Sequence, residues 1–85
     1  MVTVYTKPSC VQCNATYRRL DALGISYKFI DVSVDTQALD HIKELGYLSA
    51  PVVVPSFDKN VVDAAGERVV HWSGYRPDYI DQLKA

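Results

Sequence analysis

Two cysteines separated by two residues, Cys10 and Cys13, are the groups in this 85-residue chain with the clearest capacity for chemistry. They follow a strand-like opening and stand where the sequence pattern changes to that of a helix. Three residues are about one helical turn, so both side chains lie on one face, with alpha carbons roughly 5–6 Å apart. Because a disulfide accepts that separation, the pair can open and close without moving the backbone. The spacing therefore predicts a redox-active dithiol.

The helix makes the two sulfur atoms unequal. Cys10 stands at the amino end, where free N–H groups and the helix dipole stabilise an anion, and Lys7 adds positive potential three residues upstream. We therefore expect a lowered pKa for the Cys10 thiol. Cys13 lies one turn further in and should be more buried. This predicts that Cys10 attacks a partner disulfide and that Cys13 resolves the mixed disulfide.

A metal site is the main alternative for such a pair. Structural zinc is held by four nitrogen or sulfur ligands. The other soft ligands are His41 and His71, which are far apart and lack the spacing of a zinc motif. A purely structural disulfide is also disfavoured, because it would close a very small loop and constrain the unfolded chain little. We expect no bound metal or cofactor, while a carrier of a metal or an iron–sulfur cluster stays open as an alternative.

Composition sets the class of protein. Hydrophobic residues make up 48% and charged residues 22% of the chain, and the net charge is −1. These values are typical of a globular protein, and the length predicts a single domain spanning residues 1–85. No basic stripe is present, so nucleic acid and anionic membranes are poor candidates as partners. No apolar run could span a bilayer and no export signal is visible, so we expect a cytoplasmic protein. Nothing in the sequence suggests a large self-complementary apolar patch, so we also expect a monomer.

The apolar periodicity places the redox pair in a fold. It predicts a strand at Val2–Thr6, a helix from Cys10 that stops at Gly24, a strand at Tyr27–Val32, a helix from Asp35 to Gly46, a strand at Val52–Val54, a strand at Arg68–Trp72 and a last helix from Pro77. The β-α-β crossover is right-handed and makes its strands parallel, whereas the last two strands are antiparallel. The order β-α-β-α-β-β-α predicts an α/β protein with a mixed four-stranded sheet and helices on both faces, the thioredoxin-like fold.

The connection at residues 55–67 is the least regular part of the pattern. Pro55 interrupts any continuing strand, and two valine pairs flank Ala64-Ala65-Gly66, which predicts a hairpin tip there. The third strand starts beside the cysteines and runs away from them. We therefore expect this connection at the far end of the molecule, as a surface insertion that leaves the chemistry untouched.

Pro51 is a second candidate for the site. It follows Ala50 at the start of a predicted strand. In a thioredoxin-like fold this place is taken by a cis proline packed against the disulfide, and the bend lets the backbone pair with an extended substrate segment. An ordinary trans proline is the alternative. The cysteine motif and the β-α-β order favour the cis form.

Three separated stretches of the sequence resemble the NrdH-redoxin family. Residues 5–16, YTKPSCVQCNAT, are similar to its active-site stretch, residues 50–54, APVVV, to its proline loop, and residues 71–78, HWSGYRPD, to its C-terminal signature. Members of that family are glutaredoxin-like in sequence and thioredoxin-like in behaviour. The resemblance implies a redoxin that reduces the large subunit of class Ib ribonucleotide reductase. It also implies that the redoxin is itself reduced by thioredoxin reductase, with electrons from NADPH.

The resemblance further implies which residues meet a partner. Beside the catalytic Cys10 and Cys13, they are Lys7, Val11, Gln12, Ala50, Pro51, Trp72, Ser73, Gly74, Tyr75, Arg76 and Asp78. Four side chains of this last stretch should join one another by hydrogen bonds, namely Trp72, Ser73, Arg76 and Asp78. Such a loop would fill or stiffen the place where glutathione would lie.

Differences between this sequence and the motifs of related redoxin families bear on the alternative functions. Dithiol glutaredoxins carry Pro-Tyr between the cysteines and a Gly-Gly pair before the last helix, where this chain has Val11-Gln12 and Ser73-Gly74. Both differences argue against a glutathione-dependent glutaredoxin. A general thioredoxin-like reductant with several targets is not separated from a dedicated one by these motifs. The connection at residues 55–67 is longer than the family's usual turn.

Overall fold

A computed structural model describes residues 1–84 of the chain. Its strands and helices are β1 (Val2–Thr6), α1 (Val11–Ala22), β2 (Tyr27–Asp31), α2 (Thr36–Glu44), β3 (Val52–Val54), β4 (Trp72–Ser73) and α3 (Pro77–Ile80), and a 3₁₀ turn at Asp81–Leu83 follows. The sheet order is β2-β1-β3-β4. β1 and β2 are parallel, and β3 is antiparallel to both β1 and β4. The predicted mixed four-stranded sheet is confirmed.

The helices cover both faces of the sheet, as the sequence predicts. Successive residues of a strand point to opposite faces, so Val52 and Val53 belong to different cores. Val53 packs with Leu20 of α1 and Ile80 of α3. Val52 packs with Ile42 of α2 on the other face. Helices α1 and α3 therefore cover one face of the sheet, and α2 covers the other.

Local signals explain where the first two helices begin and end. Cys10 is the N-cap of α1, and Asp35 is the N-cap of α2, where its carboxylate accepts a hydrogen bond from the Ala38 amide at 3.0 Å. Beyond α1 the chain turns at Gly24, whose φ of +69° is a left-handed conformation that suits glycine. On the inner face of α1, Thr16 is fully buried, whereas Tyr17 is only partly so.

Two predicted strand boundaries are wrong. β2 ends at Asp31, because the Asp31 carboxylate accepts a hydrogen bond from the Ser33 amide and turns the chain one residue earlier than predicted. The last strand is Trp72–Ser73, not Arg68–Trp72. Upstream of it, the Val69 amide bonds to the Val61 carbonyl at 2.7 Å, so those residues pair within the connection instead of with the sheet.

The connection at residues 55–67 lies at the far end of the sheet, as predicted. Val52 pairs with Tyr5 beside the cysteine turn, and Val54 pairs with Thr3 at the opposite end of β1. The predicted hairpin tip is also confirmed, because the Asp63 amide bonds to the Glu67 carbonyl at 2.9 Å. Within residues 1–84, no helix is both long and apolar enough to cross a membrane.

Candidate redox site

Cys10 and Cys13 form a disulfide at the amino end of α1, with their alpha carbons 5.1 Å apart. Cys10 caps the helix, and its Sγ accepts a hydrogen bond from the Cys13 amide at 3.1 Å. The exposed fraction is 7% for Cys10 and 1% for Cys13. The difference has the predicted sense, because Cys13 is the more buried of the two. An N–H aimed at that sulfur favours its anionic form once the disulfide opens.

The chain reaches this position through a tight turn after β1. Lys7, Pro8 and Ser9 are exposed, and Ser9 has a φ of +57°. That left-handed conformation lets the chain reverse into the helix within three residues. Lys7 therefore lies next to the redox pair in sequence and projects into solvent, where its charge contributes to the local potential.

The Ala50–Pro51 peptide bond is cis, which confirms the prediction made from the motif. Pro51 is buried, and β3 begins at the next residue. The Ala50 carbonyl oxygen lies 3.8 Å from the Cys10 Sγ. The proline loop and the cysteine turn are therefore in direct contact, although forty residues separate them in the chain.

A third segment, the loop at residues 73–76, closes the arrangement. The Gly74 amide donates to the Pro51 carbonyl at 2.9 Å, and the Tyr75 amide donates to the Gln12 side-chain oxygen Oε1 at 3.0 Å. Gly74 has a φ of +84°, and a Cβ built there would stand 3.0 Å from the same Gln12 oxygen. Glycine is favoured at this position by the backbone conformation, and a larger residue would also force the Gln12 side chain to shift.

Two large apolar side chains are exposed on the segments that carry the cysteine turn and the proline loop. Val11, which directly follows Cys10, is 82% exposed, and Leu48, two residues before Ala50, is 92% exposed. Exposed apolar side chains next to a reactive group are typical of a surface that a protein partner covers. Sequence reasoning selected Val11 and missed Leu48, whose loop position follows only from the fold.

Comparison with known proteins identifies the family. The glutaredoxin family description matches residues 2–62. The chain is 34% identical over 82 residues to the glutaredoxin-like protein NrdH of Salmonella typhimurium, covering 96% of this chain and 86% of that one. The solved structure of NrdH-redoxin from Escherichia coli superimposes with a TM-score of 0.79 at 32% identity, covering 96% and 92% of the two chains. This chain belongs to the NrdH-redoxin family.

Two further relatives extend the comparison. The Gene 56 protein of Mycobacterium phage L5 is 36% identical over 83 residues, which cover 96% of this chain and 70% of that protein. The thioredoxin-like protein BC3987 superimposes with a TM-score of 0.73 at 24% identity and shares the fold. The chain is thus a glutaredoxin-like redoxin with a thioredoxin-like fold and a Cys10–Cys13 disulfide.

The hydrogen-bond network implied by the resemblance to NrdH-redoxins is wrong in part. Arg76 and Asp78 do pair, at 2.8 Å, and this exposed pair lowers the pKa of the Asp78 carboxyl. Ser73 Oγ instead lies 3.5 Å from the Ser49 carbonyl oxygen. Trp72 is buried against Tyr79, and within residues 1–84 its Nε1 has no hydrogen-bond partner. The loop is joined to the rest of the site by the Gly74 and Tyr75 amides and by Gln12, and of the four side chains only Arg76 and Asp78 bond to each other.

The two histidines contact tyrosine side chains. His71 Nδ1 hydrogen-bonds the Tyr47 hydroxyl at 2.5 Å, and the His41 ring packs against Tyr5. Within the described part of the chain, no group of three or more His, Cys, Asp or Glu side chains is placed to hold a metal ion.

Proposed function

We propose that this NrdH-like redoxin reduces the disulfide of the class Ib ribonucleotide reductase large subunit and is itself reduced by thioredoxin reductase. The observation that carries the proposal is the disulfide between Cys10, which caps the amino end of α1 and keeps 7% of its surface exposed, and Cys13, which is 1% exposed. The electrons come from NADPH through the reductase, and the redoxin works as a cytoplasmic monomer without a cofactor of its own.

The Cys10 thiolate begins the reaction. It attacks one sulfur of the partner disulfide, forms a mixed disulfide and releases the other partner sulfur as a thiolate, which takes up a proton. The Cys13 thiolate then attacks the Cys10 sulfur and displaces the second partner thiolate. Two electrons have passed to the partner, and the redoxin holds the Cys10–Cys13 disulfide. Reduction of that disulfide by two electrons from the reductase restores both thiols.

The surroundings of the disulfide favour a protein as the partner. Val11, directly after Cys10, and Leu48, two residues before Ala50, are exposed apolar side chains, which suits contact with a protein surface. The loop at residues 73–76 is tied to both the proline loop and the cysteine turn by hydrogen bonds. A relative with 32% identity is described as having a thioredoxin-like activity profile, which supports reduction by thioredoxin reductase in place of glutathione.

Two coupled assays of NADPH oxidation, with a model protein disulfide as the final acceptor, test the proposal. One contains thioredoxin reductase, and the other contains glutathione and glutathione reductase. We expect turnover only in the first. Turnover only in the second would assign the chain to glutathione-dependent glutaredoxins, and silence in both, together with copurified metal, would indicate a metal carrier.

A third assay addresses the specific partner. The redoxin and thioredoxin reductase are supplied to a class Ib ribonucleotide reductase, and deoxyribonucleotide formation is measured. We expect formation to depend on the redoxin. Turnover with the model disulfide but none with the ribonucleotide reductase would leave a general thioredoxin-like reductant.

A further inference from the structure

The Gln12 side chain connects two parts of the site that are distant in sequence. Gln12 lies between the two cysteines, and its Oε1 accepts the hydrogen bond of the Tyr75 amide at 3.0 Å. The same oxygen would stand 3.0 Å from a Cβ at Gly74, so it fills the space directly against the loop. Its backbone carbonyl accepts from the Thr16 hydroxyl at 2.8 Å, which anchors the residue in the first turn of α1.

Hydrogen bonds within the chain occupy the loop groups that face the cysteine turn and the proline loop. The Pro51 carbonyl accepts from the Gly74 amide, and the Tyr75 amide is used by Gln12. Pro51 has no amide hydrogen of its own. A short peptide ligand relies on such backbone groups for affinity. With both groups occupied, neither the Pro51 carbonyl nor the Tyr75 amide is free to hydrogen-bond a small ligand.

We propose that Gln12 is a specificity-determining residue, whose side-chain oxygen blocks the Tyr75 amide and thereby excludes small peptide thiols that carry carboxylates. This inference rests on the proposed function, since it explains why a protein and not a small thiol reacts at Cys10. The amide is the group that a carboxylate would seek, because a carboxylate accepts hydrogen bonds from N–H groups strongly. Arg76 offers no ready substitute, because its guanidinium already pairs with Asp78 and stacks over Tyr79.

Three variants separate the blocking role from a general structural one. Gln12→Ala removes the acceptor and keeps a good helix former at an exposed position. Gln12→Glu keeps an acceptor oxygen of the same reach and adds a negative charge. Gln37→Ala is the matched control, because Gln37 is exposed on α2 and makes no side-chain hydrogen bond within residues 1–84.

The first measurement is hydrogen exchange of the Tyr75 amide by NMR on the oxidised protein. We expect exchange to accelerate roughly tenfold in Gln12→Ala, the fold-change typical of losing one hydrogen bond, and to stay slow in Gln12→Glu and Gln37→Ala. Unchanged exchange in Gln12→Ala would show that the hydrogen bond does not protect this amide and would overturn the proposal.

The second measurement is a titration of the same proteins with S-methylglutathione, which has carboxylates but no free thiol. We expect Gln12→Ala to bind it roughly tenfold more tightly than the wild type, with the largest shift at Tyr75, as one gained hydrogen bond permits. We expect no gain in Gln12→Glu, because its charge repels the ligand. Faster exchange of the Tyr75 amide without tighter binding of S-methylglutathione would show that Gln12 has only a structural role, and would overturn its role in specificity.

Neither measurement contains a reductase or a protein partner. Failure of the proposed function would appear as a wild type that is silent with thioredoxin reductase. Failure of the role of Gln12 would appear in exchange and binding alone, so the two outcomes are distinguishable.

Discussion

The redox end and the far end of the sheet are held together in different ways. At the redox end, three segments distant in sequence meet, with hydrogen bonds from the 73–76 loop to Gln12 and Pro51. At the far end, the connection at residues 55–67 turns back on itself and pairs mostly within its own length. Val61 anchors it in the core, whereas Phe57 is 94% exposed. The redox end is thus joined by hydrogen bonds between distant segments, whereas the backbone of the connection pairs mainly with residues close to it in the chain.

Removing the attacking sulfur should have the largest effect of any change at the redox end. We expect Cys10→Ser to lower disulfide reduction on the order of 10³-fold or more, because no thiolate attacks the partner. Serine is a good N-cap, so α1 should survive the change, and circular dichroism checks this. Activity is measured in the thioredoxin reductase assay. Near-normal turnover would show that the roles of the two cysteines are assigned wrongly.

Removing the second sulfur should separate the two steps. Cys13→Ser keeps the attacking thiolate and lacks the group that resolves the mixed disulfide. We expect the variant to stall as a covalent adduct with its protein partner, visible by non-reducing gel and mass spectrometry. An enzyme assay that shows repeated turnover without any trapped adduct would argue against the resolving role of Cys13.

At the far end, the core anchor should matter for stability and not for chemistry. Val61 is fully buried, so we expect Val61→Ala to lower the free energy of unfolding by about 2 kcal/mol through lost burial and a residual cavity. Phe57→Ser in the same connection should change it by less than about 0.5 kcal/mol, since Phe57 is exposed. Urea unfolding measures both. Equal losses from the two variants would mean that the connection is packed differently from this structure.

A polar contact fastens the same connection to the end of the chain. The Gln82 side chain accepts from the Val62 amide at 3.0 Å and donates to the Val62 carbonyl at 2.9 Å. We expect Gln82→Ala to cost about 1 kcal/mol and to speed hydrogen exchange at Val62, with Gln37→Ala as the neutral control. Turnover with thioredoxin reductase should stay unchanged. A drop in turnover would show that the two ends of the molecule are coupled.

The smallest effect should come from the ion pair between Arg19 and Asp81, whose partners are about half exposed. The hydrogen bond from Arg19 lowers the pKa of the Asp81 carboxyl. A carboxyl with a lowered folded pKa stabilises above its unfolded pKa and loses that contribution as pH falls through the folded one. The urea midpoints of the wild type and Asp81→Asn should therefore differ slightly at pH 7, and the difference should begin to shrink below about pH 4 and vanish only once pH is below the lowered pKa of Asp81. A difference that grows in acid would contradict this assignment.

Local sequence patterns predicted most of the fold and the reactive cysteine pair. The order of strands and helices follows from periodicities of two and 3.6 residues, and the cysteine spacing fits the first turn of α1. The cis form of Pro51 was predictable once that order was in hand. The length of β4 was not predictable, because Val69 could pair either with the sheet or with the connection. Its amide bonds to the carbonyl of Val61, which lies in the connection. The side-chain hydrogen bonds of residues 72–78 could not be predicted from sequence patterns either. The direction of a side chain there depends on tertiary packing, such as that of Trp72 against Tyr79.

The sequence by itself determined a redox-active cysteine pair on a helix end within a thioredoxin-like order of elements, because helical spacing, strand alternation and turn residues are local. Only the tertiary structure decided what surrounds the pair. Gln12 and Tyr75 are 63 residues apart, and the Ala50 carbonyl is 40 residues from Cys10. Such contacts exist only after the sheet has brought α1, the proline loop and the last loop to one edge. Their energies depend on distances that no local pattern encodes.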